Sequence, residues 1–178
     1  MSAGAKQPLL SFDEVYDENF DYVYRLVARL AGSMEAEDLA QEVFVVVCRR
    51  LDSFEGRADI KTWLFQIAYR VVGASIRKQR MRRLLALEVK AESNDLAIAI
   101  PRSLERAEQG RALAKALRKL SFNKRAVIIL HDVEGWPCAT IAERLGVPTN
   151  TIYTRLHHAR KALAKAMRRA ESLEGNAQ

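Results

Sequence analysis

Apolar residues recur at intervals of three and four positions along most of this 178-residue chain. Such spacing places them on one face of an α-helix, because the helix completes a turn every 3.6 residues. Two of these stripes are Leu39, Val43, Val46, Val47 and Leu51, and Ile60, Leu64, Ile67, Val71 and Ala74. The run VFVVVC at residues 43–48 has the composition of a strand, but the helical spacing continues on both sides of it without turn residues. We therefore predict an all-α fold.

Helix-start and helix-stop signals divide the chain in two. The sequence SFDE at residues 11–14 is typical of a capping box, and Gly32 is expected to end the helix that follows it. The helical spacing is lost after residue 84, where Ser93, Asn94, Asp95 and Pro101 act as breakers. We expect two small helical domains and a linker, with the boundaries 10–85 for the first domain, 86–103 for the linker and 104–170 for the second domain.

The second domain repeats the helical spacing over shorter segments. Leu113, Leu117 and Leu120 are predicted to face its core, and Ser121 is the expected start of the next helix. That helix should end at Gly135, and its predicted core residues are Ala126, Ile129, Leu130 and Val133.

Charge is segregated along the chain, whose net charge is +7. Residues 12–55 contain eleven acidic and four basic residues, whereas residues 57–90 contain nine basic and two acidic residues. Residues 144–170 contain seven basic residues and no acidic one. This segregation predicts several separate contact surfaces, and the basic ones suit a polyanionic partner.

Cysteine usage and the absence of targeting signals favour a cytoplasmic protein. Cys48 and Cys138 are far apart, so we expect two buried thiols in a reducing compartment. The N-terminus lacks a basic segment followed by an apolar one, and the longest apolar run, residues 43–48, is too short to cross a bilayer. The motifs GxxxxGK[ST], GxSxG, HExxH and CxxC do not occur, so we predict no enzymatic activity, no cofactor and no metal site.

The segment CATIAERLGVPTNTIYTRL at residues 138–156 has the plan of a helix-turn-helix, in which two short helices are joined by a glycine-containing turn. Small Ala142 allows the helices to approach closely, and Ile152, Leu156, Ala159 and Leu163 form the inner stripe of the second helix. The opposite face carries hydrogen-bonding and cationic side chains that can reach base edges and phosphates: Asn150, Tyr153, Thr154, His157, His158, Arg160 and Lys161.

The sequence disfavours two simpler explanations of this segment. A basic helix face is often merely solvated, but here the tight turn, the short preceding helix and the absence of acidic residues occur together, which favours DNA binding. The adjacent histidines His157 and His158 do not predict a metal site, because neighbouring side chains on a helix point about 100° apart.

Two blocks of the sequence resemble a known family. EDLAQEVFVVVCRRLDSFEGRADIKTWLFQIAYRVV at residues 37–72 and LSFNKRAVIILHDVEGWPCATIAERLGVPTNTIYTRLHHARKAL at residues 120–163 are similar to the two blocks of the small sigma-70-type sigma factors of the extracytoplasmic-function (ECF) group. The resemblance implies a first helical domain, sigma region 2, which binds core RNA polymerase and melts the minus-ten promoter element. It implies a second helical domain, sigma region 4, which reads the minus-thirty-five element by a helix-turn-helix. An anti-sigma factor is a further possible partner, as is common in the family.

The resemblance also implies roles for individual residues. The expected polymerase-binding residues are Asp38, Leu39, Gln41, Glu42 and Phe44. The expected minus-ten residues are Lys61, Trp63, Phe65, Gln66, Tyr69, Arg70, Arg77 and Lys78. The expected minus-thirty-five residues are Asn150, Thr151, Tyr153, Thr154, Arg155, His157, His158, Arg160 and Lys161. Ordinary core packing is the alternative explanation for Trp63 and Phe65, and for Trp63 it accounts for the residue as well as a DNA contact does.

Three positions depart from the family's pattern. Many relatives carry an asparagine at the position of Arg70, and basic residues are common at the positions of Tyr153 and His158. We therefore expect a promoter preference that cannot be transferred from relatives. The alternatives are a stand-alone helix-turn-helix regulator with a helical dimerisation domain, which would bind a palindrome without polymerase, and a protein-interaction module without affinity for nucleic acid.

Overall fold

The computed structural model describes residues 10–56, 58–85 and 104–175, with side chains described from residue 110 to 169 in the last range. Helices account for nearly all of this part of the chain, which contains no strand, and the predicted all-α fold is confirmed. The helices are α1 (Phe12–Ala31), α2 (Ala36–Arg50), α3 (Ile60–Leu85), α4 (Leu104–Arg118), α5 (Phe122–Ile128), α6 (Cys138–Leu145) and α7 (Thr149–Gly175). The predicted linker at residues 86–103 lies outside the described residues.

The first domain is a bundle in which α1, α2 and α3 contact one another pairwise. Helix α1 begins with the predicted capping box: the Glu14 backbone N–H donates to Ser11 Oγ at 3.2 Å, and the Ser11 N–H donates to Glu14 Oε2 at 3.1 Å. The helix ends where Gly32 adopts a φ of 118° and its N–H donates to the Ala28 carbonyl. Glycine adopts a positive φ without the steric strain of other residues, so Gly32 allows the chain to turn between α1 and α2.

Helix α2 contains the run with strand composition, and its burial pattern is helical. Val43, Phe44 and Val47 are buried, whereas Val45 between them is 49% exposed. The packing of α2 against α1 and α3 therefore overrides the intrinsic strand preference of the valines. One expectation is corrected here: Cys48 lies on the exposed side of α2, and only Cys138 is a buried thiol.

The second domain is built around α7, which contacts α4, α5 and α6. Helix α5 continues into a π-helical turn at Ile129–Val133, in which the Glu134 N–H donates to the Ile129 carbonyl at 2.9 Å. The segment then stops at Gly135, as predicted, where φ is 73°. The wider π turn holds one extra residue and shifts the apolar register, which explains why Val133, a predicted core residue, is 51% exposed.

Two other predicted core positions are also exposed. Leu113 is 43% exposed, whereas Ala116 and Leu117 of α4, and Leu120 after its end, are buried. Ala74 is exposed because it lies on the outward side of α3, although Val72 and Gly73 beside it are buried and Ile76 still packs against the core.

The two domains contact each other, with α1 packing against α4 and α5. Their buried apolar residues belong to one continuous cluster rather than to two separate cores. Within the part of the chain that the structure describes, none of the helices is long and apolar enough to cross a bilayer.

Candidate nucleic-acid interface

Helices α6 and α7 form the predicted helix-turn-helix. Gly146 ends α6 with a φ of 66°, and the Val147 N–H after it donates to the Ala142 carbonyl at 3.0 Å. This is the bond pattern of a Schellman turn, which reverses the chain within three residues. Three predicted inward residues of α7 are buried, namely Ile152, Leu156 and Ala159, while Leu163 is half-buried.

The outward face of α7 presents most of the predicted DNA-reading side chains to solvent. Asn150, Tyr153, Thr154, His157, His158, Arg160 and Lys161 are exposed, whereas Thr151 and Arg155 are half-buried. Tyr153, His157, Arg160 and Lys161 line an open surface cavity of about 550 Å³ together with Leu156. The Thr154 hydroxyl donates to the Asn150 carbonyl at 2.9 Å, which leaves its oxygen available only as an acceptor for a ligand.

Arg160 is paired within the second domain. Its Nε donates to Asp132 Oδ2 at 3.1 Å, its Nη2 bonds the other carboxylate oxygen, and His131 Nδ1 lies 3.0 Å from Asp132 Oδ1. The hydrogen bonds from Arg160 hold the pKa of the Asp132 carboxyl below its usual value, against the opposing effect of burial. The Arg160 charge is therefore shared with a local carboxylate, unlike that of Lys161.

On α3 the predicted cationic residues are exposed and the predicted aromatic residues are not. Lys61, Arg70, Arg77 and Lys78 face solvent. Trp63 is half-buried, as is Gln66, and the Trp63 ring lies 5.1 Å from the ring of Phe54. The Lys61 ammonium lies 5.7 Å from the centre of the Tyr22 ring, within the range of a cation–π contact.

The second domain covers the other two predicted aromatic residues of α3. Phe65 is fully buried, with its ring edge-on to Trp136 at a centroid distance of 5.2 Å. Tyr69 stacks on Phe122 at 4.8 Å and donates a hydrogen bond from its hydroxyl to Asn123 Oδ1 at 3.1 Å. Burial raises the pKa of the Tyr69 phenol. In this arrangement Phe65 exposes no surface to a nucleotide base, which corrects the expectation that it is directly available.

Helix α2 separates the predicted polymerase-binding residues into two groups. Asp38, Gln41 and Glu42 are exposed on one face. Leu39 and Phe44 are 4% and 3% exposed, and Phe44 packs against the rings of Phe12, Tyr16 and Phe20. Leu39 and Phe44 are therefore core residues beneath the acidic face, which corrects the expectation that they contact a partner directly.

Among the described residues, no group of three or more histidine, cysteine, aspartate or glutamate side chains is placed to hold a metal ion.

Three residues of the second domain contact α1 or α3 across the domain boundary, and no pattern in the sequence predicts these contacts: Asn123, Arg125 and Trp136. Their partners lie far away in the sequence, and a local pattern carries no information about such contacts.

Comparison with known proteins matches both domains separately. The sequence profile described as "Sigma-70 region 2" matches residues 15–82, and the profile described as "Sigma-70, region 4" matches residues 110–163. The ECF RNA polymerase sigma factor SigW of Bacillus subtilis is 31% identical over 168 residues, covering 89% of each chain. The ECF RNA polymerase sigma factor SigE of Mycolicibacterium smegmatis is 30% identical over 164 residues, which are 91% of this chain and 63% of that one.

A solved structure has a similar fold. The sigma factor RpoE from Bartonella quintana, in complex with the anti-sigma factor NepR, superimposes with a TM-score of 0.74 at 27% sequence identity. The superposition covers 88% of this chain and 96% of that one, so it includes both domains.

Proposed function

The chain belongs to the ECF group of sigma-70-type sigma factors, and we propose from its geometry how polymerase binding, strand opening and promoter reading are divided among its helices. The protein is a transcription initiation factor that directs RNA polymerase to promoters. One observation supports the division of labour: a single chain presents an exposed acidic face on α2 and an exposed helix-turn-helix face on α7 that carries no acidic residue.

Core polymerase binds the face of α2 that carries Asp38, Gln41 and Glu42. These side chains are exposed, and they stand on a helix that is fixed from beneath by Leu39 and Phe44. A rigid acidic surface can steer a basic partner during encounter and can set the register of the complex. This proposal keeps the acidic residues as direct contacts and gives the buried pair a supporting role.

Helix α3 opens the minus-ten element. Strand separation requires aromatic surfaces on which an unpaired base can stack and a cationic path for the backbone. Trp63 and Tyr69 supply aromatic surface, Gln66 supplies a hydrogen-bonding group beside them, and Arg70, Arg77 and Lys78 supply exposed charge on the same helix. Arg70 is able to stack on a base or bind a phosphate, so its presence changes the minus-ten preference rather than abolishing binding.

Helix α7 reads the minus-thirty-five element in the major groove. Asn150, Thr154 and His157 lie on the outward face at positions one helical turn apart, which is the spacing needed to contact successive base pairs. Lys161 continues this face and is suited to a phosphate contact.

We propose that the protein has no catalytic activity of its own, because the energy of binding to the opened strand can drive promoter melting without bond cleavage. We place it in the cytoplasm, where its polymerase and promoter are. An anti-sigma factor is also proposed as a partner, since the solved relative RpoE was captured with one and matches both domains of this chain.

Run-off transcription tests the proposed function. Purified chain is mixed with bacterial core polymerase and the DNA upstream of its own gene, and a discrete transcript is expected only when both proteins are present. A variant with Asp38→Lys and Glu42→Lys serves as the matched control and is expected to give no transcript. A chain that binds the DNA as a dimer and leaves core polymerase inactive would contradict the proposal.

A further inference from the structure

The contact between the two domains lies over the aromatic face of α3, which we define as Phe65, Tyr69 and Gly73. Trp136 covers Phe65 and Phe122 covers Tyr69. Beside these rings, Asn123 accepts from the Tyr69 hydroxyl. The aromatic surface that Tyr69 would offer to an unpaired base is therefore already occupied by the second domain.

Arg125 connects the domains through a buried charge. It is 7% exposed, and its Nη1 donates to the Leu30 carbonyl in the last turn of α1 at 2.6 Å. The last carbonyls of a helix have no partner within the helix and carry partial negative charge, so a guanidinium is well matched to this position. The other end of the same group donates to the carbonyls of Arg118 and Leu120, which anchors it in its own domain.

The second domain approaches α3 closely at Gly73. A Cβ atom built there would lie 3.2 Å from Phe122 Cε1, closer than nine in ten Cβ contacts in proteins. A glycine inside a helix is less favourable than alanine by about 1 kcal/mol, so its presence in the middle of α3 has a cost for the first domain. The close approach of Phe122 gives a physical reason for it.

The same contact contains features that favour separation. Tyr22 Oη and Arg125 Nε are buried without a hydrogen-bond partner, and both atoms regain water if the domains part. The Arg29–Glu134 ion pair at 3.4 Å also crosses the boundary and is partly solvated. The interface therefore combines attractive ring and carbonyl contacts with buried polar groups that have no hydrogen-bond partner.

We propose that the free protein closes on itself, so that Phe122, Trp136 and Arg125 of the second domain hold the aromatic face of α3 shut against promoter DNA. The acidic face of α2 stays exposed in this closed form, because Asp38, Gln41 and Glu42 take no part in the contact. Polymerase can thus dock before the domains separate, and separation then uncovers Tyr69. The proposal rests on the proposed function of α3 in strand opening.

Closure lowers the effective concentration of the opening-competent form. If the closed form outweighs the open one about tenfold, the apparent affinity for the separated strand falls by about the same factor. A substitution that destabilises only the closed form should then increase initiation at limiting protein concentration, whereas damage to the DNA-binding surface would decrease it.

Substitution of Gly73 tests closure directly. Gly73→Leu favours the α3 helix but drives a side chain into Phe122, and Ala74→Leu adds the same side chain at the adjacent exposed position as a matched control. In a Trp63→Phe background the emission of Trp136 reports its contact with Phe65. We expect Trp136 to be protected from acrylamide quenching in the parent and in Ala74→Leu. In Gly73→Leu its emission should shift to the red and be quenched more readily, while the helical circular dichroism stays unchanged. Free access of acrylamide to Trp136 in the parent would overturn the closed form.

Phe122→Ala provides a second route to the same state from the other domain and leaves α3 unaltered. With core polymerase and promoter DNA, and with Trp63 intact, Phe122→Ala and Gly73→Leu should reach half-maximal run-off transcription at a protein concentration roughly threefold or more below that of the wild type and Ala74→Leu. If the wild type initiates but both variants open without any gain in initiation, the inhibitory role is wrong while the proposed function stands. If the wild type fails to initiate on any promoter, the proposed function fails first.

Discussion

At the scale of single residues, the outward face of α7 contains groups with different tasks. Thr154 and His157 are exposed, face the same side and have the reach for base edges, whereas Lys161 offers charge alone. Arg160, in the same stripe, is bonded to Asp132. The face therefore combines base-reading, phosphate-binding and internally paired side chains, and each group makes a distinct prediction.

Replacing Thr154 and His157 by alanine should reduce discrimination between the cognate and altered minus-thirty-five elements. Each lost base contact is expected to cost about 1–3 kcal/mol, or roughly 5- to 150-fold in affinity. Competition binding of the holoenzyme to matched promoter fragments measures this loss. Lys161→Ala is the control, since a lost phosphate contact weakens both fragments equally. Loss of polymerase binding in the double variant would contradict the separate roles of the two domains.

The Asp132–Arg160 pair predicts a pH dependence of stability. The pKa of Asp132 is lowered from 3.8 in the folded protein, so its contribution to the free energy of unfolding is present above that value and disappears as pH falls through the lowered pKa. Asp132→Asn should therefore unfold at lower urea concentration than the wild type at neutral pH, and the difference should shrink in strong acid. A difference that persists unchanged in acid would show that the pair does not act through the charge of Asp132.

At the scale of secondary-structure elements, helical periodicity predicts most of the fold because each helix hides one apolar stripe. The capping box at Ser11 and the helix ends at Gly32 and Gly146, both of which have a positive φ, could also be predicted, since their signals are local. The π turn after Ile128 could not, because its extra residue is stabilised by contacts of Glu134 and Trp136 rather than by composition. The expected polymerase-binding residues illustrate the limit: the spacing predicts the helix that carries them, but the family resemblance groups exposed Asp38 and Glu42 with Phe44, which is buried.

Charge reversal on α2 makes a prediction for that helix as a unit. Asp38→Lys with Glu42→Lys should weaken binding to core polymerase by one to two orders of magnitude, chiefly through slower association, because like charges then oppose encounter. Sedimentation or surface binding with purified core enzyme measures the change at two salt concentrations. Glu18→Lys and Asp21→Lys on exposed positions of α1 provide a control with the same change in net charge. An equal loss in both double variants would indicate non-specific electrostatics.

At the scale of the whole molecule, the two domains meet through residues that lie far apart in the sequence. Tyr69 and Asn123 are 54 positions apart, and Leu30 and Arg125 are 95 positions apart, so neither contact has a local signature in the sequence. The division into two helical domains follows from periodicity and breakers. Their contact depends on shape and on buried polar pairs that only the folded chain brings together.

The ion pair between Arg29 and Glu134 provides a test of that contact without altering its aromatic part. Arg29→Glu or Glu134→Arg alone places like charges 3.4 Å apart in the closed form, whereas the two together restore an opposite pair. Each single variant should expand the protein in X-ray scattering, and the double variant should return towards the wild-type radius of gyration.

A coupling of about 0.5–1 kcal/mol, or roughly two- to fivefold in the ratio of closed to open forms, is expected for a partly solvated pair. Arg29→Glu also places an acidic residue in the last turn of α1, which has a cost of its own. Comparison of all four proteins cancels this cost, because it is the same whether residue 134 is glutamate or arginine. Additive effects without restoration would mean that the two side chains do not meet in solution.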